Sequence, residues 1–234
     1  MLPWIHLDKA AVPGGDTELL LMRRGTEFSI MLGGNELMNS RLSGSEEALA
    51  DLACGRIAGR SQPRILIGGL GMGFTLRAAL AALSPDAHVT VAELVPAVVA
   101  WAKGPMAPVF DGCLEDPRVA IHEGDVAGAI TAARATFDAI LLDVDNGPDG
   151  LTSAANDGLY GLAGLRAAAR ALRPGGVLAV WSAGQDPRFT ARLGQAGFAA
   201  EAVKVRANGK RGGARHVIWL ASAGKESASA KQRG

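Results

Sequence analysis

The chain is poor in cysteine, in aromatic residues and in net charge, and each shortage removes a class of protein. Only two cysteines occur in 234 residues, Cys54 and Cys113. They lie far apart without metal-ligand spacing, which excludes a disulfide scaffold; both are expected to be reduced, Cys54 as a small apolar residue on a helical face. Lys and Arg number 24 against 23 Asp and Glu, a formal charge of +1, so the electrostatic footprint of a nucleic-acid binder is missing. The basic, glycine-rich stretch from Lys204 to Arg215 has no aromatic residue interleaved for base stacking and reads as a solvated hairpin loop. No apolar run reaches the roughly 18 residues of a membrane span, and Met1 to Ala11 lacks the basic start and long apolar stretch of a signal peptide. A nucleophile elbow, a Ser-His-Asp grouping and a cluster of metal-ligating side chains are absent too, so no metal is expected. A cytoplasmic protein with one main core follows, 234 residues being enough for an α/β domain and a small appendage.

What is present is concentrated in glycine. Arg64 to Phe74 reads as a short buried strand that runs into a glycine-rich turn and then a helix. Gly69, Gly71 and Gly73 sit at alternate positions, where the backbone can turn tightly and approach a ligand that any Cβ would push away. About twenty residues on, Glu93 ends a second apolar strand, where an acid is placed to accept both hydroxyls of a ribose. The third glycine comes only two positions after the second, which leaves less room for a pyrophosphate on the helix N-terminus than the dinucleotide fingerprint does. That favours a nucleoside without phosphates, such as S-adenosylmethionine or a derivative, over NAD.

From Arg64 onward apolar runs alternate with alanine-rich helical ones. The strand-like runs are Ile65 to Gly69, Val89 to Glu93, Val119 to His122, Phe137 to Asp143 and Val177 to Ser182. Helices are expected over Thr75 to Leu83, Pro96 to Lys103, Val126 to Ala133 and Leu162 to Leu172, the last stopped by Pro174 and two glycines. This order predicts an α/β, Rossmann-like fold with a mostly parallel sheet covered on both faces. Phe198 to Arg206 and Arg215 to Ala221 add an antiparallel pair at one edge, with His216 structural inside it. Residues 1–44 form a small N-terminal β appendage of three strands, and Ser45 caps a helix whose early acids suit the dipole. The main domain spans 45–222, and 223–234 is a disordered tail with too little apolar surface to fold.

In an open α/β sheet the ligand lies beyond the carboxyl ends of the strands, so strand-ending polar residues are the candidates. Asp125 follows a strand and opens a helix, placing it as an N-cap, an adenine contact or both. The run from Phe137 to Asp149 empties an apolar strand into Asp143, Asp145 and Asn146. Asp143 belongs to the strand end rather than the turn, and a carboxylate at the rim of a buried sheet is costly without a partner. Two carboxylates this close suit a cationic substrate: they hold an ammonium group, and one accepts the proton an amine loses before it attacks.

These residues resemble the spermidine synthase family, aminopropyltransferases built on the class I S-adenosylmethionine-dependent methyltransferase fold. The resemblance runs from about Glu18 to Leu220 and rests on Ser45 to Glu47 opening a helix, Ile67 to Gly73, Val91 to Glu93, Asp116 to Arg118, Gly124 with Asp125, Asp143, and Gly158 to Tyr160. It implies that Glu93 binds the ribose, that Asp125 lies near the adenine and that Asp143 acts on the attacking amine. Gly71 stands where the family carries an Asp that holds the amine of decarboxylated S-adenosylmethionine, Val95 where it often carries an acid, and Trp181 to Gly184 where polyamine synthases place Gln and Glu. The first expectation is aminopropyl transfer from decarboxylated S-adenosylmethionine to a small-molecule amine, with Asp143 as base, Asp145 assisting and Tyr160 contacting substrate. Methyl transfer from S-adenosylmethionine is the second, and a non-catalytic nucleoside-binding scaffold the third. A homodimer is expected by analogy with the family's N-terminal module.

Overall fold

The alternation read from residue 64 onward becomes a seven-stranded sheet. The structure is a computed structural model that describes residues 2–144, 158–209 and 212–223. In chain order its elements are β1 (Ile5–Ala11), β2 (Glu18–Arg24), β3 (Glu27–Leu32), β4 (Asn35–Asn39), α1 (Gly44–Arg56), β5 (Arg64–Gly68), α2 (Phe74–Ala82), β6 (His88–Glu93), α3 (Pro96–Lys103) and α4 (Ala107–Phe110). There follow β7 (Val119–Glu123), α5 (Val126–Ala132), β8 (Phe137–Leu142), α6 (Leu162–Ala171), β9 (Leu172–Ser182), α7 (Pro187–Gln195), β10 (Phe198–Arg206) and β11 (Arg215–Ala223).

The large sheet has the order β10-β11-β9-β8-β5-β6-β7. β7, β6, β5, β8 and β9 run parallel, and β11 is antiparallel to both β9 and β10. Side-chain alternation along the strands feeds two cores. Ile65 and Ile67 of β5 face the layer built from α1, α2 and α3, while Leu66 faces α5, α6 and α7. This is the expected α/β sandwich. The last strand does not sit at the outer edge: β11 lies between β9 and β10. Its run from Val217 to Ala221 is buried throughout, whereas β10 exposes most of its length, so the apolar strand takes the inner position.

The N-terminal residues form a separate antiparallel sheet in the order β1-β2-β3-β4. A two-residue turn at Gly33 and Gly34 joins β3 to β4, with Leu32 paired to Asn35 and Gly33 at φ +57°, as tight hairpins require. β1 has no counterpart among the expected strands. It is exposed along most of its length and held by pairing with β2 and by the Trp101 indole N–H, which donates to Asp8 at 2.7 Å. Leu19, Leu21, Phe28 and Ile30 of this sheet are buried in the same core as α1 and β5. The tail lies outside the described residues except for Ala223, which ends β11.

The N-cap position of α1 is Ser43, not Ser45, which is buried in the first turn. Both cysteines are buried, and desolvation pushes the Cys54 thiol up to about 12 and the Cys113 thiol up to about 11, so neither is a ready nucleophile. Among the described residues, no helix is long and apolar enough to cross a membrane.

Candidate functional site

Strand order reverses at β5. The chain leaves it through α2 toward β6 on one side, and β8 lies on the other, which opens a crevice beyond their carboxyl ends. The glycines of the loop divide the work there. Gly69 (φ +89°) donates its N–H to the Ala92 carbonyl at 2.8 Å, and a Cβ on it would run into the Asp143 carbonyl. The ends of β5 and β8 therefore touch only because this residue is glycine. Gly71 (φ +52°) lines the crevice, and a Cβ there would lie 3.3 Å from the Met38 sulfur.

Gly73 has a packing role. It caps α2 in the left-handed region (φ +78°), and a Cβ would lie 2.6 Å from the Phe110 ring, so it serves the packing of α2 on α4. Gly73→Ala is expected to cost about 2–4 kcal/mol from left-handed strain and overpacking. Urea unfolding reads this, while nucleoside affinity of the folded protein stays within about twofold; weakened binding with unchanged stability would return Gly73 to the ligand.

A cavity of about 160 Å³ fills the crevice. Its floor is Gly69, Gly71 and Glu93, its sides include Val95, Val126 and Leu159, and Leu19, Leu32, Leu37 and Met38 of the N-terminal sheet close it from above. Glu93 is 7% exposed. Its Oε2 accepts the Leu70 N–H at 2.9 Å and its Oε1 the Val95 N–H at 2.9 Å. Burial pushes its carboxyl above the usual range, and the backbone donors, Val95 and Leu70 first, pull it back. Glu93 thus ties the glycine loop to the end of β6. Asp125 caps α5, its Oδ1 accepting the Ala127 N–H at 2.9 Å, and it also lines the cavity. A buried carboxylate beside apolar walls fits the ribose and adenine of a nucleoside. Among the described residues no three His, Cys, Asp or Glu side chains gather as a metal site.

Asp143 lies just past β8, where its N–H donates to the Gly68 carbonyl at 2.9 Å. The Thr75 hydroxyl donates to its Oδ2 at 2.6 Å. Burial, then the neighbouring Glu46 carboxyl, push Asp143 up to about 7, against the pull of Thr75. Asp143 lines two cavities at once. One is the nucleoside cavity; the other, about 70 Å³, is lined by Glu46, Leu37, Met38, Met72, Phe74 and Trp181. Glu46 was not among the expected site residues, yet desolvation raises its carboxyl as well. The signal was there: Glu46 is in phase with the buried stripe of Leu49, Ala50, Ala53 and Cys54 along α1.

The remaining candidates scatter. Asp145 lies outside the described residues. Tyr160 is 1% exposed, its ring set edge-on to Phe189 at 5.7 Å in the core beneath α6 and α7; its neighbour Leu159, not Tyr160, lines the nucleoside cavity. A lone Tyr between Leu159 and Gly161 gives no hint of which way it faces.

No protein-family model matches the chain, and no curated protein sequence does either. Solved structures do. A spermidine synthase from Thermotoga maritima is 18% identical, with a TM-score of 0.72 over 94% of this chain and 73% of that one. A spermidine synthase in complex with the transition-state analogue AdoDATO is 18% identical, with a TM-score of 0.71 over 94% and 72%. TrmN from Thermus thermophilus is 22% identical, with a TM-score of 0.54 over 79% of this chain and 51% of that one. At these identities the likeness is one of fold, and the fold is that of a spermidine synthase-like class I methyltransferase.

Proposed function

We propose that the chain is a transferase that binds an S-adenosylmethionine-type donor and passes an alkyl group, in the first instance aminopropyl, to a small amine. One observation carries this reading: Asp143 lines two cavities, one floored by the buried acid Glu93 and the other walled by Glu46. This supports Asp143 as a base between donor and acceptor. Such a donor supplies a carbon activated by a sulfonium. Glu93 takes the ribose hydroxyls and Asp125 stands at the adenine end. Asp143 accepts the proton that the acceptor amine must lose, which frees the lone pair for attack. The C–N bond forms as the C–S bond breaks, and neutral thioether leaves. The roof from the N-terminal sheet excludes water from the path. Structural likeness to the AdoDATO complex supports the donor class.

Methyl transfer stays as a second reading on a specific observation, that Gly71 places no carboxylate at the loop for the amine of a decarboxylated donor. Calorimetric titration of the protein with decarboxylated S-adenosylmethionine, 5′-methylthioadenosine and S-adenosylmethionine separates the two. Tighter binding of the first two is expected. Preference for intact S-adenosylmethionine moves the reading to methyl transfer, binding of all with no transfer to any amine leaves a nucleoside-binding scaffold, and binding of none overturns the donor assignment.

A further inference from the structure

His216 reads as structural in the sequence, but its surroundings give it a second task. Its Nδ1 lies 2.9 Å from the Ser45 hydroxyl oxygen, and that hydroxyl lies 2.7 Å from Glu46 Oε2, to which it donates. Ser45 has one hydroxyl proton. Committed to Glu46, it leaves only lone pairs for the imidazole, so His216 must present Nδ1–H. The ring also packs edge-on against Trp181, with centroids 4.8 Å apart at 73°. Glu46 and Trp181 are both walls of the second cavity. One imidazole on β11 therefore holds two walls of a cavity on the far side of α1's first turn, one by a hydrogen-bond chain and one by ring contact. Ser45 is 1% exposed, so the chain is shielded from water that would compete with it.

We propose that His216 is a positioning residue for Glu46, acting through Ser45, and that Glu46 so held selects acceptors carrying a positive charge in the second cavity. This rests on reading that cavity as the acceptor site. The charge that Glu46 presents is not cancelled by Asp143, just past β8, or by Glu47 of its own helix, which are further acids beside it. The other side chains of the cavity are aliphatic, thioether or aromatic, and an aromatic face suits an ammonium group better than a neutral or anionic one. An Nδ1–H donor on Ser45 strengthens the Ser45 bond to a carboxylate and weakens it to a carboxylic acid, so the imidazole favours the charged form of Glu46. Its own basicity is lowered by burial, which suits a neutral ring with one fixed tautomer.

The test has two arms. Nitrogen-15 NMR of the full chain reports the His216 tautomer without any turnover: Nδ1–H is expected in the wild type at pH 7.5, with loss of that single tautomer in Ser45→Ala. In steady-state kinetics with propylamine and 1,3-diaminopropane as acceptors, His216→Phe is expected to raise acceptor KM about tenfold, with kcat and donor affinity within about threefold. His216→Gln, which keeps a donor, should restore most of that loss. Glu46→Gln should raise acceptor KM at least as far. An Nε2–H tautomer in the wild type, or a folded His216→Phe with unchanged acceptor KM, would overturn the proposal. Absence of transfer by the wild type would sink the function proposed above, while the tautomer would still decide whether His216 holds Ser45 and Glu46.

Discussion

Asp143→Asn is expected to lower kcat/KM for transfer by about 10²–10⁴, the range that general-base catalysis contributes, with donor affinity within about threefold. The asymmetry follows from where the residue sits. Asp143 touches both cavities but holds neither wall together: Glu93 ties the glycine loop, and Asp125 caps α5. An asparagine amide oxygen can still accept from the Thr75 hydroxyl, which now donates at 2.6 Å, so the local structure survives. What it cannot do is take a proton from an amine. A variant with near-normal turnover would remove Asp143 from the mechanism, and one that loses donor binding in parallel would make it a binding residue.

The same variant separates activity from stability through pH. The folded carboxyl of Asp143 titrates near 7 because burial and then Glu46 disfavour its charge, whereas an unfolded aspartate titrates near about 3.9. A raised carboxyl pKa means that the contribution to stability is whole below the unfolded value and is lost as pH rises through the folded one. The wild type therefore becomes progressively less stable relative to Asp143→Asn between about pH 4 and pH 7, by roughly 4 kcal/mol in the limit. Activity runs the other way. A base must be ionised, so the wild-type rate climbs through about pH 7 and levels above it. Paired urea titrations at pH 5 and pH 8 read the first trend, and a pH–rate profile the second. A stability difference independent of pH would mean that Asp143 is not buried as a charge.

Much of this arrangement was legible before any coordinates, for reasons that belong to particular residues. Strands β5, β6 and β8 are short, mainly apolar runs, as strands buried on both faces must be, and each ends in the residue that matters: Gly69 after β5, Glu93 within β6, Asp143 after β8. β1 escaped because Ile5 to Ala11 exposes most of its side chains and owes its form to β2 and Trp101. The packing role of Gly73 against the Phe110 ring was not legible, because spacing cannot say which way an absent Cβ would point. Glu46 and His216 meet through Ser45 across 171 residues of sequence, a separation at which no local pattern speaks. The roof of Leu37 and Met38 over the glycine loop likewise depends on how the N-terminal sheet docks.

At the opposite end of the sheet a second carboxylate is expected to matter for folding alone. Asp138 is 2% exposed, near the start of β8. Its Oδ1 accepts Arg60 Nη1 at 2.6 Å, and its Oδ2 accepts the Arg64 N–H and Arg173 Nη1, both at 2.8 Å. Arg60 also donates to the Pro174 carbonyl at 2.8 Å. One side chain thus joins the loop after α1, the first residue of β5 and the start of β9, which fixes the register of the three central strands where they enter the sheet. Asp138→Ala removes the acceptor of two guanidinium groups and a backbone N–H; the arginines are 28% and 34% exposed and regain water, so the cost is that of the lost hydrogen bonds, about 2–4 kcal/mol. For a chain of this size that lowers Tm by about 10 °C. Because the crevice lies at the other ends of these strands, kcat and donor affinity of the folded fraction should be unchanged. Differential scanning calorimetry with activity measured at 20 °C tests both halves. A folded Asp138→Ala with wild-type Tm would show the arginines to be solvated surface partners, and a loss of activity without loss of stability would mean that strand register at β5 and β8 is transmitted to Gly69 and Asp143.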